Sequence, residues 1–139
     1  MNRAVFDTNV VVSGFLSPTG PPGRIVEWLR SGSIQAVVDD RIAGEYAEVL
    51  LRPLFQLPVG EVNIVLEAIR KGAFWVETRA GQTVKGLPDP SDAPFLECAW
   101  TAGVPLVTGN ARHYPKSIAS DVTVLTPAQF VAIWEGKAS

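Results

Sequence analysis

The sequence predicts an α/β fold of three layers (α/β/α), in which helices cover both faces of a mostly parallel central sheet of about five strands. Short apolar segments alternate with amphipathic helical segments along the whole chain, and this alternation is typical of parallel sheets. No internal repeat, low-complexity run or interdomain linker interrupts the 139 residues. We therefore expect residues 1–139 to form a single domain.

The composition argues against several classes of protein. Apolar residues make up 47% of the chain and charged residues 19%, which is typical of a globular protein. The net charge of −2 argues against a protein that coats nucleic acid by bulk electrostatics. One cysteine (Cys98) and one histidine (His113) cannot form a disulfide or a usual structural zinc site. Asp7 and Asn9 interrupt any signal-peptide segment, and no apolar run is long enough to span a membrane, so we expect a cytoplasmic protein.

The first half of the chain is predicted to hold two strands and four helices. The segment 17–23 is a loop, because it contains three prolines and two glycines. Asp39 and Asp40 suit the start of the helix after the second strand, and Pro53 ends that helix. The predicted strands are 3–7 and 34–38, and the predicted helices are 9–16, 24–30, 41–52 and 59–71.

The second half alternates in the same way. Pro94 lacks an N–H group and suits a first helical turn, which places the start of a helix within 90–103 near Ser91. Thr126 as N-cap, with a proline at the first helical position and Gln129 at the third, favours a last helix at 127–135. The predicted strands are 73–78, 104–108 and 122–125, with a loop at 79–87 and a turn or short helical piece at 109–113.

Two predicted strand ends are expected to form a ligand site. In sheets of this kind, ligands bind at the carboxyl ends of the strands, where the strand order reverses. Asp7 ends the first predicted strand, and Thr108 to Asn110 follow the fourth. An acid can also end a strand simply as the cap of the next helix, so Asp7 indicates a site only if other candidate ligands lie near it.

Helical periodicity sorts the acids of the predicted helix 41–52. Its apolar stripe centres near Tyr46, and at about 100° per residue Glu45 lies at the edge of that stripe. Glu48 lies nearly opposite and precedes Arg52 by four residues, the favourable order for an exposed ion pair. Glu45 is therefore the functional candidate on this helix, with a rim acid of no special role as the alternative.

A further acid lies on an inward stripe. Asp92 precedes Leu96 by four residues, at the N-terminal end of its helix, where a carboxylate is costly unless it is paired or bound to a metal. The alternative is helix capping, which Asp89, Ser91 and Asp92 could all provide. Asp89 fits a turn before Pro90, or a role in orienting the other ligands.

Several carboxylates in one pocket repel each other, and divalent cations that prefer oxygen ligands remove that cost. Two such ions about 4 Å apart can activate a water molecule and stabilise the leaving oxygen of a phosphodiester. The chain therefore suggests an enzyme that uses Mg²⁺ or Mn²⁺ to cut nucleic acid. Neutral oxygens that could orient the reacting groups are supplied by Thr8, Asn9, Thr108 and Asn110.

Four segments of the chain resemble the PIN domain family in their order and spacing. They are Val-Phe-Asp-Thr-Asn-Val at 5–10, Glu45 followed by residues 49–53, Asp-Pro-Ser-Asp-Ala-Pro-Phe-Leu at 89–96, and Leu-Val-Thr-Gly-Asn-Ala-Arg-His-Tyr-Pro at 106–115. The resemblance covers essentially the whole chain. Within the family, the chain looks most like the toxin components of bacterial and archaeal toxin–antitoxin pairs, similar to VapC-type toxins.

This resemblance implies a Rossmann-like fold and an endoribonuclease that depends on Mg²⁺ or Mn²⁺. Asp7, Glu45 and Asp92 match acidic positions of the family and would bind metal. Many relatives carry an aspartate where this chain has Asn110, which keeps an oxygen ligand, removes one charge and would hold a second metal more weakly. The implied partners are an RNA substrate and a cognate antitoxin protein, and the apolar bias of the chain makes a homodimer plausible.

Several further residues have two interpretations each. His113 could contact phosphate or transfer a proton, although a lone histidine in a turn is more often structural. Cys98 lies off the predicted inward stripe of its helix and is expected at a dimer surface or to be inert. Possible RNA contacts are Arg41, Arg52, Arg112, His113 and Lys116, with solvated charge as the alternative, and the four tryptophans (Trp28, Trp75, Trp100 and Trp134) suit a core or an interface.

Two other functional classes compete with the nuclease. A non-catalytic PIN-like binding or assembly module is favoured by Asn110 and by the acidic net charge. Phosphoryl transfer on an aspartate, as in receiver domains or haloacid-dehalogenase-like phosphatases, is disfavoured. A receiver would carry an acidic pair after its first strand, and the phosphatase motif would carry a second aspartate where Asn9 stands.

Overall fold

The computed structural model describes residues 2–77, 83–119 and 121–138. Its centre is a sheet of five strands, all parallel, in the order β3-β2-β1-β4-β5. The strand order reverses between β1 and β4, as the sequence predicts, and the three-layer α/β/α fold is confirmed. The strands are β1 (Arg3–Phe6), β2 (Gln35–Val38), β3 (Phe74–Trp75), β4 (Leu106–Val107) and β5 (Val124–Leu125).

Seven α-helices are found in the part of the chain that the structure describes. The helix α5 packs directly on β1, β2 and β4, whereas α2 packs on its neighbouring helices. None of these helices is long and apolar enough to cross a membrane. The helices are α1 (Thr8–Leu16), α2 (Pro21–Ser31), α3 (Asp40–Leu50), α4 (Val59–Gly72), α5 (Ala93–Ala102), α6 (Lys116–Ala119) and α7 (Pro127–Ala138), and short 3₁₀ turns lie at Pro53–Phe55, Pro90–Asp92 and Ala111–His113.

The buried core is built around β1. Ala4, Val5 and Phe6 are fully buried, because a central parallel strand is covered by helices on both faces. The ring of Phe6 meets that of Phe130 edge to face, with 5.4 Å between the ring centroids, which ties α7 to the sheet. The strand ends at Phe6, so Asp7 lies at the carboxyl edge of the sheet.

The start of α2 differs from the prediction. The sequence placed residues 17–23 in a loop, but the helix already begins at Pro21, since prolines are well suited to the first helical positions. The carbonyl oxygen of Pro18 passes so close to Gly23 that a Cβ there would lie 2.0 Å from it. The glycine therefore allows the preceding loop to fold tightly over the start of the helix.

The environment of α5 corrects two predictions. Cys98 is fully buried, so its predicted place at a dimer surface is wrong. Trp100, predicted on the inward stripe, is 38% exposed. The physical reason is that α5 contacts three strands and also α3, so residues 95–99 are buried all round and the single-stripe rule does not apply.

Other element boundaries differ by smaller amounts. The helix α6 was not predicted, β3 to β5 have two residues each, and Thr78 and residues 79–82 lie outside the described residues. Trp75 is exposed, whereas Trp28 and Trp134 pack edge to face with centroids 6.4 Å apart and join α2 to α7.

Candidate active site

Asp7 lies at the junction of β1 and β4, where the strand order reverses. Its backbone N–H donates to the carbonyl of Val107 at 2.9 Å, which continues the parallel ladder by one residue. Its side chain is buried, with the residue 5% exposed, and Oδ2 accepts two hydrogen bonds of 2.9 Å. The donors are the hydroxyl groups of Thr108 and Tyr114.

These two bonds determine which oxygen of Asp7 can bind a ligand. Two donors occupy the two lone pairs of Oδ2. The other oxygen, Oδ1, accepts the backbone N–H of Asn9 at 3.4 Å, a long hydrogen bond at the start of α1. Asp7 is therefore both a weak helix cap and a buried carboxylate whose Oδ1 is available to a cation.

Glu45 reaches the same region from α3. The hydroxyl of Thr8 donates to Oε2 of Glu45, so the residue next to Asp7 links the two acids. Tyr46 donates its hydroxyl to the carbonyl of Phe6, and burial followed by the charges of Asp7 and Glu45 raises the pKa of that phenol well above its usual value. A phenol held neutral in this way is a permanent hydrogen-bond donor that joins α3 to β1.

Glu48 behaves as the periodicity predicts. It is exposed and forms an ion pair with Arg52, with Oε1 and Nη2 3.0 Å apart. The orientation of α3 therefore separates two acids only three residues apart, one toward Thr8 and the other toward solvent.

Hydrogen bonds also join the two strand ends that form the site. Asn9 accepts the N–H of Gly109 on its Oδ1 at 3.1 Å, which links the start of α1 to the end of β4. The N–H of Asn110 donates to the hydroxyl of Thr108 at 3.1 Å, and that hydroxyl in turn donates to Asp7. Thr108 therefore bonds to Asp7, Asn9 bonds to the backbone of Gly109, and the backbone of Asn110 bonds to Thr108.

Asp92 forms a second acidic group at the N-terminal end of α5. It is 8% exposed, and its Oδ2 lies 2.9 Å from Nδ1 of His113. Burial, followed by the negative charges of Asp7 and Asp89, raises the pKa of Asp92 to about 6, while His113 acts in the opposite direction. The neighbouring residues His113 and Tyr114 contact Asp92 and Asp7 respectively, which links the two acids through one short segment.

Asp89 forms the turn before α5 that the sequence predicts. Its Oδ1 accepts the N–H of Ser91 at 3.0 Å and the hydroxyl of Ser91 at 2.7 Å, bonds that lower the pKa of Asp89. It also belongs, with Asp92 and His113, to a group whose ligand atoms all lie within 4.8 Å of one another. Among the described residues, this close-set group differs from the predicted ligands (Asp7, Glu45, Asp92 and Asn110) and shares only Asp92 with them.

The donor set fits a divalent cation. Carboxylate oxygens suit Mg²⁺ and Mn²⁺, and one imidazole is also compatible with Mn²⁺. The raised pKa of Asp92 reflects in part repulsion from neighbouring carboxylates, which a cation would remove. Among the described residues, the group whose ligand atoms are close enough to share one ion is Asp89, Asp92 and His113, and the predicted ligands Asp7 and Glu45 lie outside that group.

Sequence reasoning missed Tyr114 and the pairing of His113 with Asp92. Tyr114 is almost fully buried, and burial followed by the charge of Asp7 raises its pKa far above the usual value. The phenol thus stays protonated beside a carboxylate. The only sign in the sequence is a tyrosine at the end of a polar turn, Asn-Ala-Arg-His at 110–113.

The predicted basic residues have different environments. The guanidinium of Arg41 bridges two buried acids, 2.7 Å from Asp39 and 2.8 Å from Glu97. That ion-pair network competes with the predicted contact between Arg41 and RNA. Arg112 and Lys116, by contrast, are exposed on the segment that follows β4.

A parallel α/β domain with buried carboxylates at its strand-order reversal is an arrangement suited to metal-assisted hydrolysis. The family model described as PIN domain matches residues 3–112, and the chain belongs to the PIN domain family. PIN domains are generally nucleases and usually bind divalent metals, so the fold is nuclease-like. The chain is also similar to the uncharacterized protein MJ1680 of Methanocaldococcus jannaschii, with 23% identity over 142 residues that cover 96% of this chain and 92% of that protein.

Proposed function

We propose that the protein is a metal-dependent endoribonuclease that hydrolyses phosphodiester bonds of RNA, with Asp7, Glu45 and Asp92 as its catalytic acids. One observation carries this proposal. Hydrogen bonds tie all three acids to two short segments: Thr8, which follows Asp7, donates to Glu45, and the neighbouring residues His113 and Tyr114 contact Asp92 and Asp7. These acids come from the end of β1, from α3 and from the turn before α5, and burial followed by their charges raises the pKa of Tyr114 far above its usual value.

Mg²⁺ or Mn²⁺ would be held by Asp7 and Asp92, with Asp89, Glu45 and His113 as further ligands or supports. When bound, such an ion activates water for attack on phosphorus and neutralises the developing charge on the leaving oxygen. Asn110 supplies no charge, which favours tighter binding of one ion than of two.

The chain's own residues prepare the site for that chemistry. Thr108 and Tyr114 hold Oδ2 of Asp7 and leave Oδ1 for the ligand side. Thr8 fixes Glu45 in the same way. Because Nδ1 of His113 is held by Asp92, Nε2 is the nitrogen available to a metal ion, to a substrate phosphate or to a proton.

We further propose that the protein is the toxin of a toxin–antitoxin pair, works in the cytoplasm as a homodimer, and is inhibited by a cognate antitoxin. This role is supported by the sequence resemblance alone. Expression of the protein with and without the neighbouring small open reading frame tests it. Growth arrest that the second gene relieves would support the role, and harmless expression with no co-purifying partner would contradict it.

Incubation of the purified protein with defined single-stranded RNAs in Mn²⁺, Mg²⁺ or EDTA tests the nuclease activity. Asp7→Asn and Asp92→Asn should each reduce the cleavage rate by at least about 100-fold while the fold is retained, and EDTA should abolish cleavage. Asp40→Asn is the matched control, because Asp40 is an exposed acid at the start of α3. Full activity in EDTA, or in both site variants, would contradict the assignment, and metal binding without cleavage would favour the binding module.

A further inference from the structure

We propose that a groove beside the acidic site, formed by the segment 111–116 and the loop and strand around β5, binds the sugar–phosphate backbone of single-stranded RNA next to the cut. This inference rests on the proposed ribonuclease function and assigns the path of its substrate. The groove encloses about 780 Å³. Its two charged lining residues are Arg112 and Lys116.

The groove and the candidate active site share one residue. Tyr114 lines the groove, and the hydroxyl of the same residue donates to Oδ2 of Asp7. His113 lies between Arg112 and Tyr114 in the chain and contacts Asp92. A strand with its scissile phosphate at the acids would therefore meet this groove within a short distance.

The two cations of the groove form no ion pair within the described residues. Arg112 and Lys116 line it without any acidic residue, and within the described ranges neither has an acid within 4.0 Å. Five other cations do have acidic partners, and the exposed Arg70 on α4 has none in the part of the chain that the structure describes. The five are Arg24, Arg30, Arg41, Arg52 and Lys71. On a protein with a net charge of −2, two unpaired cations on one groove form a local site for a polyanion.

The uncharged residues that line the groove indicate which part of an RNA strand it can bind. Pro115, Val122 and Val124 provide an apolar wall, and the one aromatic ring in the lining belongs to buried Tyr114. Stacking of bases, which dominates many single-strand binding sites, therefore has no exposed platform in this groove. Phosphate contacts remain, and these position a strand without reading its sequence.

The groove thus supplies affinity and orientation for RNA of any sequence. An acidic protein segment carries the same charge, but RNA is favoured because Tyr114, which lines the groove, is hydrogen-bonded to Asp7 of the site at which a phosphodiester would be cut. Selection of a cleavage sequence would then come from the acidic site and not from this groove.

The test measures binding of a fluorescent single-stranded RNA in EDTA by anisotropy at several salt concentrations. A contact with one phosphate contributes a slope of about 0.7 in log K against log salt, so each of Arg112→Ala and Lys116→Ala should reduce the slope by about that amount. If the variant and the wild type bind RNA equally at 1 M salt, a slope difference of about 0.7 makes the variant bind about fivefold more weakly at 0.1 M salt. Arg112→Lys should keep most of the affinity, and the loss should be the same for RNAs of unrelated sequence.

Arg70→Ala is the matched control, because Arg70 is an exposed cation on α4, away from this groove. If Arg112→Ala and Lys116→Ala bind RNA like the wild type and the Arg70 control, the groove assignment is overturned, even where Mn²⁺-dependent cleavage persists. If RNA binding depends on both cations but no cleavage occurs with any metal, the groove stands and the nuclease proposal fails. A loss of affinity for a polyglutamate peptide with unchanged affinity for RNA would assign the groove to an acidic protein partner and overturn the proposal.

Discussion

The hydroxyl of Tyr114 donates a 2.9 Å hydrogen bond to Oδ2 of Asp7, although 107 residues separate the two in sequence. The bond connects the segment after β4 with the carboxyl end of β1. It reaches a carboxylate that is already bound by Thr108, so two hydroxyl groups fix one oxygen of the acid that the site depends on.

We expect Tyr114→Phe to lower the free energy of unfolding by about 1.5–3 kcal/mol in EDTA, the usual value of a hydrogen bond to a charged group. It should also weaken Mn²⁺ binding by roughly 10- to 100-fold, because partners that orient a ligand have effects of that size. Urea denaturation measures the first effect and calorimetric titration with Mn²⁺ the second.

Tyr46→Phe is the control for this prediction. Tyr46 is also a fully buried phenol, but it donates to the backbone carbonyl of Phe6 and not to a carboxylate. It should therefore lose stability without a comparable loss of metal affinity. Equal metal affinities in the Tyr114 variant and the wild type would show that Tyr114 does not orient Asp7 for a cation.

Glu45 and Glu48 provide a matched pair on one helix. Glu45→Gln should lower the rate of RNA cleavage by about 100-fold, because it removes a charge beside Thr8 and Asp7. Glu48→Gln removes only an exposed ion pair with Arg52 and should change stability by no more than about 0.5 kcal/mol and the rate not at all. Similar rates in the two variants would remove Glu45 from the catalytic residues.

This pair shows why part of the site could be predicted from the sequence. The side chains of a helix repeat every 3.6 residues, so a partly buried acid and an exposed acid on α3 can be told apart without a structure. The same rule placed Asp92 inward. The fold class could also be predicted, because alternating strands and helices leave few topologies for a parallel sheet.

The remaining features depend on contacts that periodicity does not encode. The bonds of Tyr114 to Asp7 and of His113 to Asp92 join segments from different elements, and no local pattern specifies such pairs. Cys98 was misplaced because α5 is enclosed by strands and by α3, whereas the stripe rule assumes one buried face. Strands of two residues, such as β4, have ends set by ladder hydrogen bonds and not by residue type.

The raised pKa of Asp92 predicts a specific dependence of stability on pH in EDTA. Burial, with the charges of Asp7 and Asp89, puts the folded pKa at about 6, above its ordinary value of 3.8. The carboxyl of Asp92 therefore holds its proton more tightly in the folded state than in the unfolded state. The stabilisation that this difference gives to the folded state is fully present below pH 3.8 and is lost as the pH rises through about 6.

The variant Asp92→Asn lacks this titration. In EDTA it should be more stable than the wild type at pH 7 by about 1–2 kcal/mol, and the difference should shrink as the pH falls toward 4. Saturating Mn²⁺ should reverse the order, because only the wild type gains the binding free energy in full. Denaturant titrations at pH 4, 5, 6 and 7 measure the effect, and a difference that does not change with pH would contradict it.

The bridge from Arg41 to Asp39 and Glu97 predicts a loss of stability on removal of the cation. Glu97 is buried and also accepts the N–H of Val84 at 2.9 Å, so the network ties residues 83–87 to α5 and to the end of β2. Arg41→Ala leaves two buried carboxylates without their cation and should cost about 1.5–3 kcal/mol at pH 7.

The dependence of that cost on pH separates this network from an exposed ion pair. Burial alone would raise the pKa of Asp39, but hydrogen bonds from Arg41 and from the N–H of Ile42 hold it below its ordinary value of 3.8. The stabilisation that Asp39 gives to the folded state is thus present above pH 3.8 and is lost as the pH falls through the lower pKa of the folded state. The cost of Arg41→Ala should therefore shrink in acid.

Arg52→Ala, the exposed control, should cost no more than about 0.5 kcal/mol at any pH. Should Arg41→Ala instead leave stability unchanged and reduce the salt dependence of RNA binding, Arg41 would be an RNA contact and not part of the structural network.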